Sequence, residues 1–142
     1  MLESLRYQLA STFAIYQKTL SFHWNIEGNE FFELHELFEQ HYLALATEID
    51  QVAEIIRTLG FKVEGGLDEF AKLSKIAPPK TGLDGKEMIN VLINDYETLL
   101  KLIEKSSSEL NEHEIGVRQQ LALIYANHQK TIWMMKSWSR KS

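Results

Sequence analysis

Cysteine is absent from the 142 residues of this chain. Its absence excludes disulfide bonds, thiolate metal sites and cysteine nucleophiles, and it fits a reducing compartment, so we expect a cytoplasmic protein. Proline occurs twice and glycine seven times, which leaves long stretches free for regular secondary structure. No apolar run approaches the roughly 20 residues of a membrane span, and the N-terminal MLESLRYQLAS does not resemble a signal peptide.

An excess of positive charge is also missing. The chain has 15 lysines and arginines against 20 aspartates and glutamates, a net charge of −5, so it lacks the general electrostatic footprint of a nucleic-acid-binding protein. An acidic balance suits a cationic partner such as a metal ion. The length and the 44% apolar content predict one domain over residues 1–142 with a hydrophobic core.

Apolar residues recur at helical spacing in four long segments, and no segment shows the alternation of a strand. The turn after the first segment and the start of the fourth suggest short connections, whereas about 25 residues, including LDEFAKLS as a short helix, separate the second from the third. One long crossover among four helices predicts an all-α, ferritin-like bundle. The predicted helices cover about residues 3–26, 30–59, 84–108 and 112–138, with Asn29, Asp84 and Asn111 as N-caps and Gly60 at a C-cap.

The second helix carries a stripe of metal-ligand residue types beside its apolar face. If His35 defines 0° on a helical wheel, Glu39 lies at about 40°, Asp50 at about 60° and Glu54 at about 100°. His35 and Asp50 are about 22 Å apart along the helix axis, so one ion does not reach both within one chain. Two copies of the helix packed antiparallel about a two-fold axis would bring the two ends together.

His23, on the first helix, joins this set because a short turn connects the two helices. Two imidazoles and three carboxylates suit Fe(II), Mn(II) or Zn(II). The alternative is a solvated acidic edge beside two hydrogen-bonded core histidines. A di-iron site inside one bundle is disfavoured, because the sequence contains no Glu-x-x-His pair.

The segments HWNIEGNEFFELHELFE and EIDQVAEIIRTLG resemble the signature of the Dps family, or miniferritins. The match is strong over about residues 20–60, and helix lengths extend it over nearly the whole chain. The resemblance implies a dodecameric shell that oxidises Fe(II), preferably with hydrogen peroxide, and stores ferric mineral, which limits oxidative damage. It also implies a ferroxidase site between two subunits, with His23, His35 and Glu39 from one and Asp50 and Glu54 from its partner.

Two features depart from the family pattern. Many Dps proteins bind DNA through a lysine-rich N-terminal arm, whereas here the first helix is predicted to begin almost at Met1, so we expect no tight DNA binding. The C-terminal Lys136, Arg140 and Lys141 are too few to replace such an arm. The acidic residues that usually line the family's iron-entry pore are shifted or thinned near the start of the fourth helix, so no pore residues are assigned.

Other side chains have weaker signals. His41 and His113 are expected to face solvent, and His128 to pack or to form a helix–helix hydrogen bond; we expect none of the three to bind metal directly. Trp24, on the apolar face of the first helix, is either a packing residue or a sink for oxidising equivalents beside the site. Three other functions remain open: a DNA-compacting shell, a structural assembly with an inactive site, and a site adapted to zinc or manganese.

Overall fold

The computed structural model describes residues 1–140, and every regular element among them is a helix. The all-α prediction is therefore confirmed, and the predicted helix ends agree with the observed ones to within three residues. Lys141 and Ser142, which the predicted domain includes, lie outside the described residues. The five helices are α1 (Leu2–Asn25), α2 (Phe31–Thr58), α3 (Leu67–Leu73), α4 (Gly85–Ser108) and α5 (Ile115–Ser139).

The helices form a four-helix bundle with one long connection, as predicted. Short turns join α1 to α2 and α4 to α5, and each joined pair packs together. Residues 59–84 run between the two hairpins, and α3 in this crossover packs against α1. A single long crossover is the ferritin-like topology.

Local sequence signals set some helix ends and not others. Asp84 forms the predicted capping box, since its side chain accepts from the Glu87 amide while the Glu87 carboxylate accepts from the Asp84 amide. Gly60 has φ +96° and ends α2 in a Schellman motif, with its amide bonded to the Arg57 carbonyl and that of Phe61 to the Ile56 carbonyl.

The other two predicted caps are wrong. The N-cap of α2 is Glu30, and the N-cap of α5 is Glu114; neither side chain caps its helix. Asn111 instead accepts a hydrogen bond from the His113 amide, within the turn before α5. Asparagine side chains bond to nearby amides in turns as readily as at helix starts, so an asparagine before a helix does not by itself locate the first residue.

The core lies where the helical periodicity places it. Side chains such as Leu9, Phe38, Leu92 and Leu121 come from all four long helices and are at most 2% exposed. Trp24 is an exception to the predicted apolar face, because 68% of its surface is exposed. Among residues 1–140, no helix is long and apolar enough to cross a bilayer.

The bundle interior also holds an ion pair that the sequence patterns did not indicate. Lys18 of α1 donates to Asp95 of α4 at 2.8 Å, and the lysine side chain is only 2% exposed. Burial raises the pKa of the Asp95 carboxyl, although the hydrogen bond and charge of Lys18 oppose this shift. Lys18 therefore helps the Asp95 carboxyl to remain charged inside the bundle.

Candidate metal centre

The α1–α2 turn brings two histidines into direct contact. His23 lies near the end of α1 and His35 in the second turn of α2, with Gly28 at φ +99° in the turn between them. The two imidazole rings stack with centroids 3.8 Å apart and planes inclined by 18°. His23 is buried and His35 is half-buried, so the pair lies at the edge of the core.

Reciprocal hydrogen bonds fix the orientation of both rings. His23 Nδ1 lies 2.8 Å from the His35 carbonyl oxygen, and His35 Nδ1 lies 2.9 Å from the His23 carbonyl oxygen. A carbonyl only accepts, so both Nδ1 atoms carry the proton and donate. In the neutral rings the lone pair is then on Nε2, which is the form in which histidine binds a metal.

Glu39 adds a carboxylate to this pair. It lies one helical turn after His35, and one donor atom from each of His23, His35 and Glu39 falls within 4.8 Å of the others. Across residues 1–140 this is the one group of three histidine, aspartate or glutamate side chains that is so close. Glu39 is exposed, so the group opens to the surface.

Aromatic side chains pack around the two imidazoles. The Phe31 ring stacks on His35 with centroids 4.9 Å apart, and the Tyr42 ring meets His23 edge-on at 5.2 Å. These contacts restrict the rotation of both rings, which favours a pre-organised ligand pair.

The structure does not bring Asp50 and Glu54 to this group within one chain. Both side chains are exposed, and they lie farther along α2, with about 22 Å of helix between His35 and Asp50. The three residues that the structure brings together are thus one part of the predicted five-residue set. The other two form a second, separate acidic part on the same helix.

The remaining histidines differ in their surroundings. His113 is exposed, as predicted, whereas the prediction for His41 is wrong, because its side chain is half-buried. Burial, with a smaller effect of the nearby His128, lowers the pKa of His41 to about 4. His128 makes the predicted helix–helix hydrogen bond, with Glu48 of α2 as its partner at 2.9 Å. On a helical wheel Glu48 lies beside the apolar stripe of α2, and this position is the one sequence signal that could have indicated its role.

Comparisons with known proteins agree with this fold. The ferritin-like domain family matches residues 2–141. The DNA protection during starvation protein 2 of Bacillus anthracis is 31% identical, over 97% of this chain and 95% of the relative.

Solved structures agree as well. The crystal structure of Dps from Staphylococcus aureus superposes with a TM-score of 0.93 and 26% identity, over 99% of this chain and 95% of that one. The Dps protein from Vibrio cholerae O1, described as a member of a broad superfamily of ferritin-like diiron-carboxylate proteins, has a TM-score of 0.92 and 29% identity, over 96% and 87% of the two chains.

The chain therefore belongs to the ferritin-like family and, within it, to the Dps proteins. This membership supports a general role in iron storage and in protection against oxidative damage. The resemblance noted in the sequence is thereby confirmed at the level of the family.

Proposed function

We propose that this protein oxidises Fe(II), preferably with hydrogen peroxide, at sites shared between two-fold-related subunits, and stores the ferric product inside a dodecameric shell. His23, His35 and Glu39 of one subunit, here called the histidine half, bind iron together with Asp50 and Glu54 of the partner, the carboxylate half. The proposal places the protein in the cytoplasm. Zn(II) and Mn(II) suit the same donors and would compete with iron.

The single observation that carries the proposal is the histidine half. One ring nitrogen of each imidazole and a carboxylate oxygen meet within 4.8 Å, and the carbonyl hydrogen bonds on both Nδ1 atoms leave each Nε2 lone pair free to bind metal. Three donors leave an Fe(II) ion short of the six ligands common in N/O sites, and the exposed Glu39 leaves the open side facing outward. The open positions on the ion leave room for donors from outside this part of the chain.

The carboxylate half provides such donors on the same helix. Asp50 and Glu54 are one helical turn apart and exposed, so both carboxylates are accessible to a second subunit. In an antiparallel α2–α2 pair, the histidine half of each chain lies opposite the carboxylate half of the other. A two-fold axis then creates two equal sites per dimer.

An apolar groove on the crossover side of α1 offers surface for contact with a second subunit. A cavity of about 660 Å³ lies between α1 and the crossover, and the exposed Trp24 and Leu67 contribute to its walls along with Phe13 and Phe70. Apolar surface of this kind is stabilised by burial against another protein surface.

The reaction balances with two ferrous ions for each peroxide. Two Fe(II) ions each give one electron, and hydrogen peroxide takes both electrons and two protons to form two waters. Paired electron delivery avoids the release of hydroxyl radical, the product of one-electron reduction. The carboxylates of both halves favour this step, because anionic oxygen ligands stabilise Fe(III) more than Fe(II).

Removal of one ligand from each half tests the proposal. The His35→Ala/Asp50→Ala variant is loaded with Fe(II) without oxygen and then given stoichiometric hydrogen peroxide, while ferric absorbance is followed. Loss of an outer-shell partner alone lowers metal affinity or activity by about 10–100-fold, so we expect the loss of two direct ligands to slow iron oxidation by roughly 100-fold or more. Parent protein given dioxygen instead of peroxide is expected to react more slowly.

The matched control removes one imidazole and one carboxylate elsewhere. In the His113→Ala/Glu3→Ala variant both lost side chains are exposed and lie outside the proposed site, so the parent rate is expected. Equal rates in the parent and the His35→Ala/Asp50→Ala variant, with both assembled by size-exclusion chromatography, would refute the proposed site.

We propose no tight DNA binding at physiological salt. Each chain has a net charge of −5, so a shell of twelve chains has a net charge of about −60 and repels the phosphate backbone of DNA. A gel shift with linear duplex DNA is expected to show free DNA at moderate salt. Slow-migrating complexes at that salt would contradict this expectation and favour the DNA-compacting alternative.

A further inference from the structure

A cavity separates α2 from α5 on another side of the bundle. Its volume is about 320 Å³, and side chains of α2, α4 and α5 line it. The α1–α2, α1–α4 and α4–α5 pairs pack closely, whereas α2 and α5 are held by polar bridges such as His128–Glu48. Most of the lining is polar or small, including Thr47, Asn127 and Thr131, so the cavity is suited to water and ions rather than to an apolar ligand.

The donors at this cavity are of the kinds that bind transition metals. Both oxygens of the Glu48 carboxylate lie close to His128 Nε2, at 2.8 and 2.9 Å, and both side chains are buried. His41 also lines the cavity, and its Nδ1 is enclosed with no hydrogen-bond partner among the described residues. No lysine or arginine of the described chain lines the cavity, so no fixed side-chain cation competes there.

We propose that the α2–α5 cavity binds one divalent transition-metal cation, with the Glu48 carboxylate and His128 Nε2 as its direct protein ligands. If two ligand atoms each lie about 2.1 Å from a cation and the ligand–metal–ligand angle is about 90–110°, the two atoms are about 3.0–3.4 Å apart. The observed nitrogen–oxygen separation has to increase by a few tenths of an ångström, and the imidazole has to turn so that Nε2 points to the cation instead of to the carboxylate. The proton on Nε2 leaves to solvent from a charged ring or moves to Nδ1 of a neutral ring.

Water completes the coordination sphere. His41 precedes Glu48 by two helical turns, about 10 Å along the axis, so it does not close on the same ion as a third direct ligand. The mixed nitrogen–oxygen donors suit Zn(II), Co(II) or Fe(II) rather than Ca(II) or Mg(II).

This site is separate from the histidine half. Glu39 and His41 are two residues apart, so their side chains leave α2 about 160° apart and point to opposite sides of the helix. The α2–α5 site also needs no second subunit, because one chain supplies both ligands. A variant that lacks the shared site therefore retains the α2–α5 site, and the two proposals can fail independently.

Cobalt titration in such a variant tests the proposal. In the His35→Ala/Asp50→Ala background, Co(II) is titrated and followed by visible absorption and calorimetry. We expect about one Co(II) per chain with nitrogen and oxygen coordination. Addition of Glu48→Gln, which keeps a hydrogen bond to His128, is expected to weaken binding by at least the 10–100-fold typical of a lost outer-shell partner. His113→Gln in the same background, which removes an exposed imidazole, is expected to leave binding unchanged.

Two results would overturn the proposal. One is a background variant that binds no Co(II); the other is a Glu48→Gln variant that binds it as tightly as the background. Crystals of the background variant soaked in Co(II) give an independent measurement that does not depend on the folding of the Glu48 variant. An anomalous peak between Glu48 and His128 is expected, and peaks only elsewhere would contradict the assignment.

Discussion

Two inactive variants are expected to regain ferroxidase activity when their subunits are mixed. The His35→Ala/Glu39→Ala variant lacks a working histidine half, and the Asp50→Ala/Glu54→Ala variant lacks the carboxylate half. If each site draws one half from each of two chains, a mixed dimer contains one intact site and one site that has lost both halves. Random pairing at equal amounts restores about a quarter of the parental sites, because each half is intact in one chain of two.

The measurement compares peroxide-driven iron oxidation before and after mixing. The two variants carry different affinity tags and are refolded together, and native mass spectrometry verifies that mixed assemblies form. The control mixes the His35→Ala/Glu39→Ala variant with a chain in which all four residues are alanine, and no recovery is expected. Mixed assemblies that stay inactive would show that the two halves do not meet across a subunit boundary.

Loss of the Lys18 ammonium is expected to have the largest effect on stability. In Lys18→Met, the half-buried Asp95 carboxylate loses its 2.8 Å partner inside the bundle. Removal of one member of a buried ion pair typically costs about 3–5 kcal/mol, because the other charge stays buried without compensation. Replacement of both members in Lys18→Met/Asp95→Leu is expected to return the free energy of unfolding to within about 1 kcal/mol of the parent.

The pH dependence of the Lys18→Met variant has a definite sign. Burial already raises the pKa of Asp95, and loss of Lys18 raises it further. The folded variant then binds a proton that the unfolded chain, with an ordinary aspartate pKa, has released. Folding is therefore favoured as the pH falls toward 5, so the deficit relative to the parent is smaller at pH 5 than at pH 7.5.

Urea unfolding followed by circular dichroism, at fixed protein concentration because assembly adds stability, measures these differences. The control is Lys136→Met, which breaks the exposed Lys136–Glu97 pair at 3.1 Å and is expected to cost less than about 1 kcal/mol. Similar losses in Lys18→Met and Lys136→Met, or no recovery in Lys18→Met/Asp95→Leu, would contradict this account of the buried pair.

Much of the fold follows from local patterns in the sequence. Helix positions come from apolar residues at a period of 3.6, and the crossover comes from the length of the chain between α2 and α4. The histidine half was predictable for the same reason. His35 and Glu39 share a helix face, and the turn at Gly28 is short enough to bring His23 beside them.

Caps and burial were harder to predict. The half-buried position of His41 depends on which neighbouring helices pack nearby, and a helical wheel for one segment does not contain that information. The turn at Asn111 is local, but the same asparagine side chain can either cap a helix or bond to an amide within a turn, so its sequence position does not decide between the two. Trp24 is the opposite case, because it lies on the predicted apolar face of α1 and yet its side chain is exposed in the single chain.

The sequence by itself determined the helices, their order, and the ligand types on α2, because these depend on neighbours within a few residues. Only the tertiary structure decided the polar pairs inside the bundle. Lys18 and Asp95 are 77 positions apart, and Glu48 and His128 are 80 apart. Such pairs arise when separate helices pack and leave two charged or polar groups with no partner but each other, since an unpaired buried charge is too costly.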